Sequence, residues 1–182
     1  MSILIETERL ILRELAYTDQ NDLFEMDADP EVHLYIENNP VKSIDEIQKA
    51  IEMIKKQYEE NGIARWAVVD KMTNECIGWS GLKYHNQPLN NHTNFYELGY
   101  RFKQKHWGKG FATESSMAIL GYGFKNLKID TIYAITDPKN EHSKKVLTKL
   151  GFDFQETFEY EGDPTDWFEL KKTSWENKKP HR

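Results

Sequence analysis

The sequence predicts one mixed α/β domain. A chain of 182 residues with 38% hydrophobic and 13% aromatic residues has the size and apolar content for a single core. Its apolar periodicity orders the elements as strand, two helices, three strands, helix, strand, helix and two strands, about seven strands and about four helices with no internal repeat. At the middle, an alternating run passes through a glycine turn straight into a helical run, at Lys105-His106-Trp107-Gly108-Lys109-Gly110-Phe111-Ala112-Thr113.

Thr7 to Glu14 sets a short apolar centre between charges and is expected as the first strand. Asp19 opens a helix that carries Leu23 and Met26 inward and stops near Asp29-Pro30, because the residue before proline is biased away from helical angles. Ser43 is the expected N-cap of the second helix, where Ile44, Ile47, Ile51, Ile54 and Tyr58 recur at steps of three and four. Trp66 to Val69 and Cys76 to Leu82 read as a hairpin joined through the turn formers Asp70 to Glu75, and His85 to Thr93 reads as a surface loop. Phe95 to Phe102 is the aromatic-rich central strand, and Met117, Leu120, Phe124 and Leu127 mark the inward face of the helix after the glycines. Ile129 to Thr136 is a strand ended by Asp137-Pro138, and Asn140 to Leu150 is a helix closed by Gly151. Phe152 to Tyr160 and Trp167 to Lys171 are the last strands, turning at Glu161-Gly162-Asp163-Pro164. The domain is expected to span residues 1–176, with 177–182 a flexible basic tail.

Gly108 and Gly110 allow backbone angles and close approaches that a side chain blocks, and a helix starting near Ala112 aims free N–H groups over the turn. A phosphate fits there, although a plain strand-to-helix connection also favours glycine. Two other phosphate motifs fail on residue counting. A P-loop built on Gly108-Lys109 needs glycine at position 103 and Ser or Thr at 110, which hold Lys103 and Gly110. A dinucleotide fingerprint from Gly108 needs a third glycine where Thr113 stands, although Asp130 lies at a suitable distance for a ribose carboxylate.

A net charge of -6 and a pI near 5.6 argue against a nucleic-acid partner bound through a broad basic surface. Cys76 is the sole cysteine, which leaves no intramolecular disulfide and no cysteine-based zinc site and suits a reducing cytoplasm. Charges every few positions at the start of the chain match neither a signal peptide nor a membrane span, so no membrane partner is expected. His33, His85, His92, His106, His142 and His181 show no paired metal spacing and read as surface or loop residues; no metal is expected.

Three stretches together resemble the GNAT superfamily of acyl-CoA-dependent N-acetyltransferases, in its RimJ/RimL-like branch. They are Thr7-Glu8-Arg9-Leu10 with Leu12-Arg13, Glu97 to Glu114, and Asn140-x-x-Ser143 to Leu150-Gly151-Phe152. The resemblance implies the GNAT fold, with a mixed, mostly antiparallel central sheet, and acetyl-CoA as cosubstrate. It implies that Lys105, His106, Trp107, Gly108, Lys109, Gly110, Phe111, Ala112 and Thr113 cradle the coenzyme A pyrophosphate. The pantetheine arm would lie beside the preceding strand at Arg101 and Phe102, with Asn140 near it and Ser143 near the sulfur. Asn140 reads equally as a helix N-cap, and Ser143 as an ordinary first-turn residue. Many relatives carry a Tyr four residues after this Ser to protonate the leaving thiolate; here that residue is Leu147, which leaves Ser143 as the sulfur's partner.

An α-amine is roughly a tenth neutral at pH 7, whereas a lysine-like amine is under about a thousandth neutral, so a base matters more for the second. Glu97 is the candidate to take the amine proton, directly or through water; the alternative is a carboxylate on the solvent side of its strand. Trp66, Trp79, Tyr84, Tyr96 and Tyr100 either line an acceptor groove or fill the core. No residue presents itself as a covalent nucleophile beside a base. The expected activity is acetyl transfer from acetyl-CoA to a primary amine, a peptide N-terminus or a small cationic amine, by direct attack in a ternary complex. The missing Tyr keeps a second reading, a non-catalytic acyl-CoA sensor, and a homodimer stays open.

Overall fold

The computed structural model describes residues 4–36 and 38–178. Its strands are β1 (Leu4–Glu6), β2 (Leu10–Glu14), β3 (Arg65–Asp70), β4 (Cys76–His85), β5 (Phe95–Phe102), β6 (Thr131–Thr136), β7 (Asp153–Tyr160) and β8 (Asp163–Lys171). The helices are α1 (Gln20–Asp27), α2 (Pro30–His33), α3 (Ile44–Asn61), α4 (Phe111–Lys125), α5 (Glu141–Leu150) and α6 (Lys172–Lys178). One eight-stranded sheet runs in the order β1-β2-β3-β4-β5-β6-β8-β7. Neighbours pair antiparallel except β5 and β6, which are parallel.

Alternation along the strands sends residues to two cores. Leu12, Trp66, Val68, Ile77, Leu82, Leu98 and Phe102 meet Ile119, Leu120 and Phe124 of α4, Leu147 of α5 and Trp175 of α6 on one face. Ala67, Cys76 and Trp79 meet Leu23 and Met26 of α1 and Ile47, Ile51 and Ile54 of α3 on the other. None of the described helices is long and apolar enough to cross a membrane.

Several elements differ from the sequence reading. The expected first strand is a hairpin: Thr7 turns the chain by donating its N–H to Leu10 O at 2.9 Å and accepting the Leu10 N–H on Oγ1 at 3.0 Å. Pro30 does not merely stop α1. It stands at the first position of α2, where its missing N–H costs nothing, and Asp29 caps that turn by accepting the Glu31 N–H at 2.9 Å. Ser43 makes no side-chain N-cap bond to the backbone; its hydroxyl donates to Glu46. β4 carries His85, so the loop begins after it, and β8 already includes Asp163 and Pro164 because Glu161 and Gly162, both at positive φ, complete the turn. Helix α4 buries Ser115, Ser116, Ile119 and Gly123 and leaves Met117 39% exposed. A Cβ at Gly123 would stand 2.9 Å from Leu82 Cδ1, so small residues let this helix sit close to the sheet and turn Met117 outward. α6 includes residues 177 and 178 of the expected tail; the remainder of that tail, with His181, lies outside the described residues.

Candidate active site

Strands β5 and β6 share two register pairs, Tyr96↔Ile132 and Glu97↔Tyr133, and then part, although β5 continues to Phe102 and β6 to Thr136. A cavity of about 390 Å³ adjoins the end of β5, within the size range of small-molecule sites. Its walls are Tyr100, Arg101 and Phe102 of β5; His106, Trp107, Gly108, Gly110, Phe111, Ala112 and Thr113 of the turn and α4; and Asn140, Ser143 and Val146 at α5. His142, Lys145 and Lys149 of α5 border it as well. Val32 of α2 and Tyr35 and Ile36 just after it close the remaining side, a wall the sequence reading missed together with α2 itself.

The turn has the geometry of an anion cradle. Gly108 and Gly110 sit at φ +73° and +81°, and the α4 ladder begins with the Glu114 N–H bonded to Gly110 O at 3.0 Å. The N–H groups of Phe111, Ala112 and Thr113 precede that bond, so they have no acceptor within the helix. Arg9 and Thr7 hold the turn from below. Thr7 Oγ1 donates to Glu114 Oε1 at 2.6 Å, Arg9 Nε donates to Glu114 Oε2 at 2.6 Å, and Arg9 Nη1 donates to Lys109 O at 2.9 Å. The Arg9 guanidinium also lies 4.5 Å from the centre of the Phe111 ring. Burial raises the Glu114 pKa, but the bonds from Thr7 and Arg9 outweigh it and hold the carboxyl below its usual range. The Thr7-Glu8-Arg9-Leu10 stretch, remote in sequence, is thus the brace of the glycine turn.

From the other side, the buried Lys103 ammonium donates to Asp22 at 2.8 Å and to Glu25 and Glu75 at 2.7 Å each. These three carboxylates are the one described group close enough together to hold a metal ion, and the ammonium is bonded to all of them. Lys105 reaches the same Glu25 and Glu75 at 2.9 and 2.8 Å, so neither its ammonium nor Lys109 lines the cavity. The free backbone N–H groups of the turn are therefore its anion donors, and the charged side chains elsewhere in the lining are Lys145 and Lys149, Arg101, which is held by Asp27, and one carboxylate, Glu31.

Asn140 is an N-cap, accepting the Ser143 N–H at 3.0 Å, and it lines the cavity too, so its two readings coincide. Ser143 Oγ lies 2.9 Å from the Tyr100 hydroxyl. Burial pushes the Tyr100 phenol up to about 12, against the opposing effect of the Ser143 hydrogen bond. Leu147 is 1% exposed and packs in the core, which explains why no hydroxyl stands at that position.

Glu97 does not line the cavity. Along β5, Tyr96, Leu98, Tyr100 and Phe102 lean toward the α4–α5 side, whereas Glu97, Gly99 and Arg101 face the α1–α3 side, with Glu97 in the last pair before the strands part. Its side chain is 15% exposed and meets His85 Nε2 at 2.6 Å, so it is not the solvent-side carboxylate of the alternative reading. Three histidines correct the surface assignment for the same reason: an isolated His carries no periodic signal of burial. His85 stacks on Phe95, and His33 and His106 are 6% and 9% exposed. Trp66 is core; Trp79 is buried beneath two arginine side chains, with ring-centre distances of 4.4 and 5.3 Å. Burial raises the Cys76 thiol to about 12, which makes it a poor nucleophile.

Residues 9–153 match the family described as acetyltransferase (GNAT) domain. The chain belongs to the GNAT acetyltransferase family. It is an acyltransferase, and members of the family use acetyl-CoA. It is 34% identical over 146 residues to an uncharacterized N-acetyltransferase p20 of Bacillus licheniformis, covering 80% of each chain. Among solved structures it resembles a GNAT acetyltransferase from Bacillus anthracis, with TM-score 0.76 and 24% identity over 93% of this chain and 98% of that one. A ribosomal-protein-S5-alanine acetyltransferase from Vibrio fischeri is also similar, with TM-score 0.75 and 20% identity over 98% and 100% of the two chains. These two likenesses speak for the fold.

Proposed function

We propose that the cavity takes acetyl-CoA, its pyrophosphate over the N–H groups of Phe111, Ala112 and Thr113, and that an amine on the α1–α3 side of the sheet attacks the acetyl carbon through the gap between β5 and β6. The gap carries this reading. It separates a cavity that ends in hydroxyls, Ser143 and Tyr100, from a carboxylate on the opposite face, Glu97. Seven of the turn residues named from the sequence, His106, Trp107, Gly108, Gly110, Phe111, Ala112 and Thr113, line the cavity, and its backbone donors suit the group, while Lys145 and Lys149 add positive charge for its phosphates.

In the reaction, the amine nitrogen forms a bond to the acetyl carbon, the carbon–sulfur bond breaks, and the sulfur leaves with the electron pair. Glu97 accepts the amine proton, directly or through water. The Tyr100 phenol stays protonated at neutral pH; its hydroxyl reaches the Ser143 carbonyl at 3.3 Å and Ser143 Oγ at 2.9 Å, and when it donates to Oγ the serine proton is free to point at the departing sulfur. A hydroxyl is too weakly acidic to give up its proton outright, so the pair acts as a hydrogen-bond donor to negative charge that grows in the transition state. This supplies a role that the leucine at position 147 leaves open, and it favours turnover over a passive acyl-CoA sensor.

The similarity to ribosomal-protein acetyltransferases makes a peptide N-terminus one candidate acceptor in a cytoplasmic enzyme of the RimJ/RimL type. A screen of small amines and N-terminal peptides for release of free thiol from acetyl-CoA tests the reading. Turnover with at least one amine is expected, and tight acetyl-CoA binding without turnover across the panel would assign the chain to the sensor class instead.

A further inference from the structure

We infer that the α1–α3 face carries an anion site centred on Arg65, and that the acceptor is a primary amine bearing its own carboxylate or phosphate. The inference rests on the transferase reading only for the position of the reacting amine near Glu97. Of the arginines in the described residues, Arg9 holds Glu114, Arg13 holds Asp19 through two hydrogen bonds, and Arg101 holds Asp27 at 2.8 Å. Arg65 alone has no hydrogen bond or ion pair from its guanidinium among the described residues; the guanidinium carbon lies 4.4 Å from the centre of the Trp79 ring. Arg65 is half-buried and none of its guanidinium nitrogens is both buried and unpaired, so an anion can reach the charge from solvent while the Trp79 ring backs its other face. The nearby carboxylates are already engaged, Asp27 by Arg101 and Glu97 by His85. Burial first, and then the like charge of Arg101, pull the Arg65 pKa down, and the Glu97 and Asp27 carboxylates offset this only in part.

Position links this cation to the chemistry. Arg65 pairs with Gly81, which pairs with Gly99, so one row of the sheet runs from Arg65 to the place where β5 leaves β6. Gly99 has no side chain to lift the Trp79 indole, whose Cζ3 would stand 3.3 Å from a Cβ there; the indole therefore floors the row. Glu97 lies two residues back along β5, which puts its Cα about 12 Å from that of Arg65 for ordinary strand rise and spacing. Both side chains stand on this face, and the Glu97 carboxylate acts electrostatically on Arg65, so a small acceptor can address both. A polyamine offers no anionic group to Arg65.

The test uses matched amines that differ in one charge: amino acids against their carboxamides, and phosphoethanolamine against ethanolamine. Each is measured for thiol release with acetyl-CoA and, by calorimetry, for binding in the presence of CoA. One charged hydrogen-bonded contact predicts that an anionic member outperforms its neutral twin by about tenfold to a hundredfold in KM or Kd. Arg65→Gln is expected to erase that ratio and leave the acetyl-CoA affinity unchanged, while Arg65→Lys retains part of it. The two pairs separate carboxylate from phosphate. Turnover without preference for an anionic twin, a preference that survives Arg65→Gln, or no binding of any anionic amine would overturn the site. An Arg65-dependent binding preference without thiol release would uphold the site and count against the transfer chemistry instead.

Discussion

Lys103→Met removes the ammonium that ties the start of the glycine turn to α1 and to the β3–β4 connection. The lysine side chain is 3% exposed and its partners Asp22, Glu25 and Glu75 are 35%, 52% and 24% exposed, so the charge lost is buried while the charges left behind are partly hydrated. Breaking a fully buried pair costs about 3–5 kcal/mol; hydration of the acids, and the second cation at Lys105, bring the expected loss to about 2–3 kcal/mol. For a chain of this size that lowers Tm by roughly 4–12 °C. The pH dependence has a definite sign. Burial raises the pKa of Glu75, but the bonds from Lys103 and Lys105 outweigh it and hold the carboxyl at about 2, and Glu25 is shifted down in the same direction. These groups stabilise the fold above about pH 4.5, and their contribution fades as pH falls toward 2. The deficit of Lys103→Met is therefore largest at pH 7 and shrinks in acid. Without the ammonium, three carboxylate oxygens within 4.8 Å of one another invite a divalent cation, so millimolar calcium should raise the Tm of the variant and leave the wild type unmoved. Thermal melts followed by circular dichroism at pH 7 and pH 3 decide the matter. A variant that melts with the wild type at pH 7, or one with an equal deficit at pH 3, would refute the assignment of the triad as a structural clamp.

Gly110→Val is expected to weaken acetyl-CoA binding tenfold or more by calorimetry, because φ of +81° strains any branched L residue by about 1–2 kcal/mol; the space itself is adequate, with Arg9 Nη2 3.5 Å from the added Cβ. Tyr100→Phe should lower kcat about threefold to thirtyfold with the acetyl-CoA KM unchanged, and Ser143→Ala by about tenfold to a thousandfold. The double variant should be no worse than Ser143→Ala, and full kcat in Tyr100→Phe would remove the phenol from the reaction. Glu97→Gln should lose most activity at pH 6 and recover toward pH 9, where the amine sheds its proton unaided; a loss constant across that range in steady-state rates would rule out Glu97 as the base.

Local chemistry wrote much of this molecule into its sequence. The apolar repeat of α3, the alternation of β3 to β5, the Gly151 stop of α5 and the paired glycines at positions 108 and 110 act over a few residues, and each recurs where periodicity and backbone preference put it. The Asn140 cap is of the same kind, a side chain three residues from its partner. Tertiary packing decided the rest. Tyr100 and Ser143 are 43 residues apart, Arg9 and Glu114 105 apart, and Lys103 and Asp22 81 apart, so nothing in the neighbourhood of either member names the other. The rotation of α4 was equally hidden, because a helix that approaches a sheet closely buries its small residues and exposes a methionine, the reverse of a simple apolar stripe. The parting of β5 from β6 is a property of pairing between two strands; a single strand's sequence records its own alternation and carries no mark of where its neighbour leaves it.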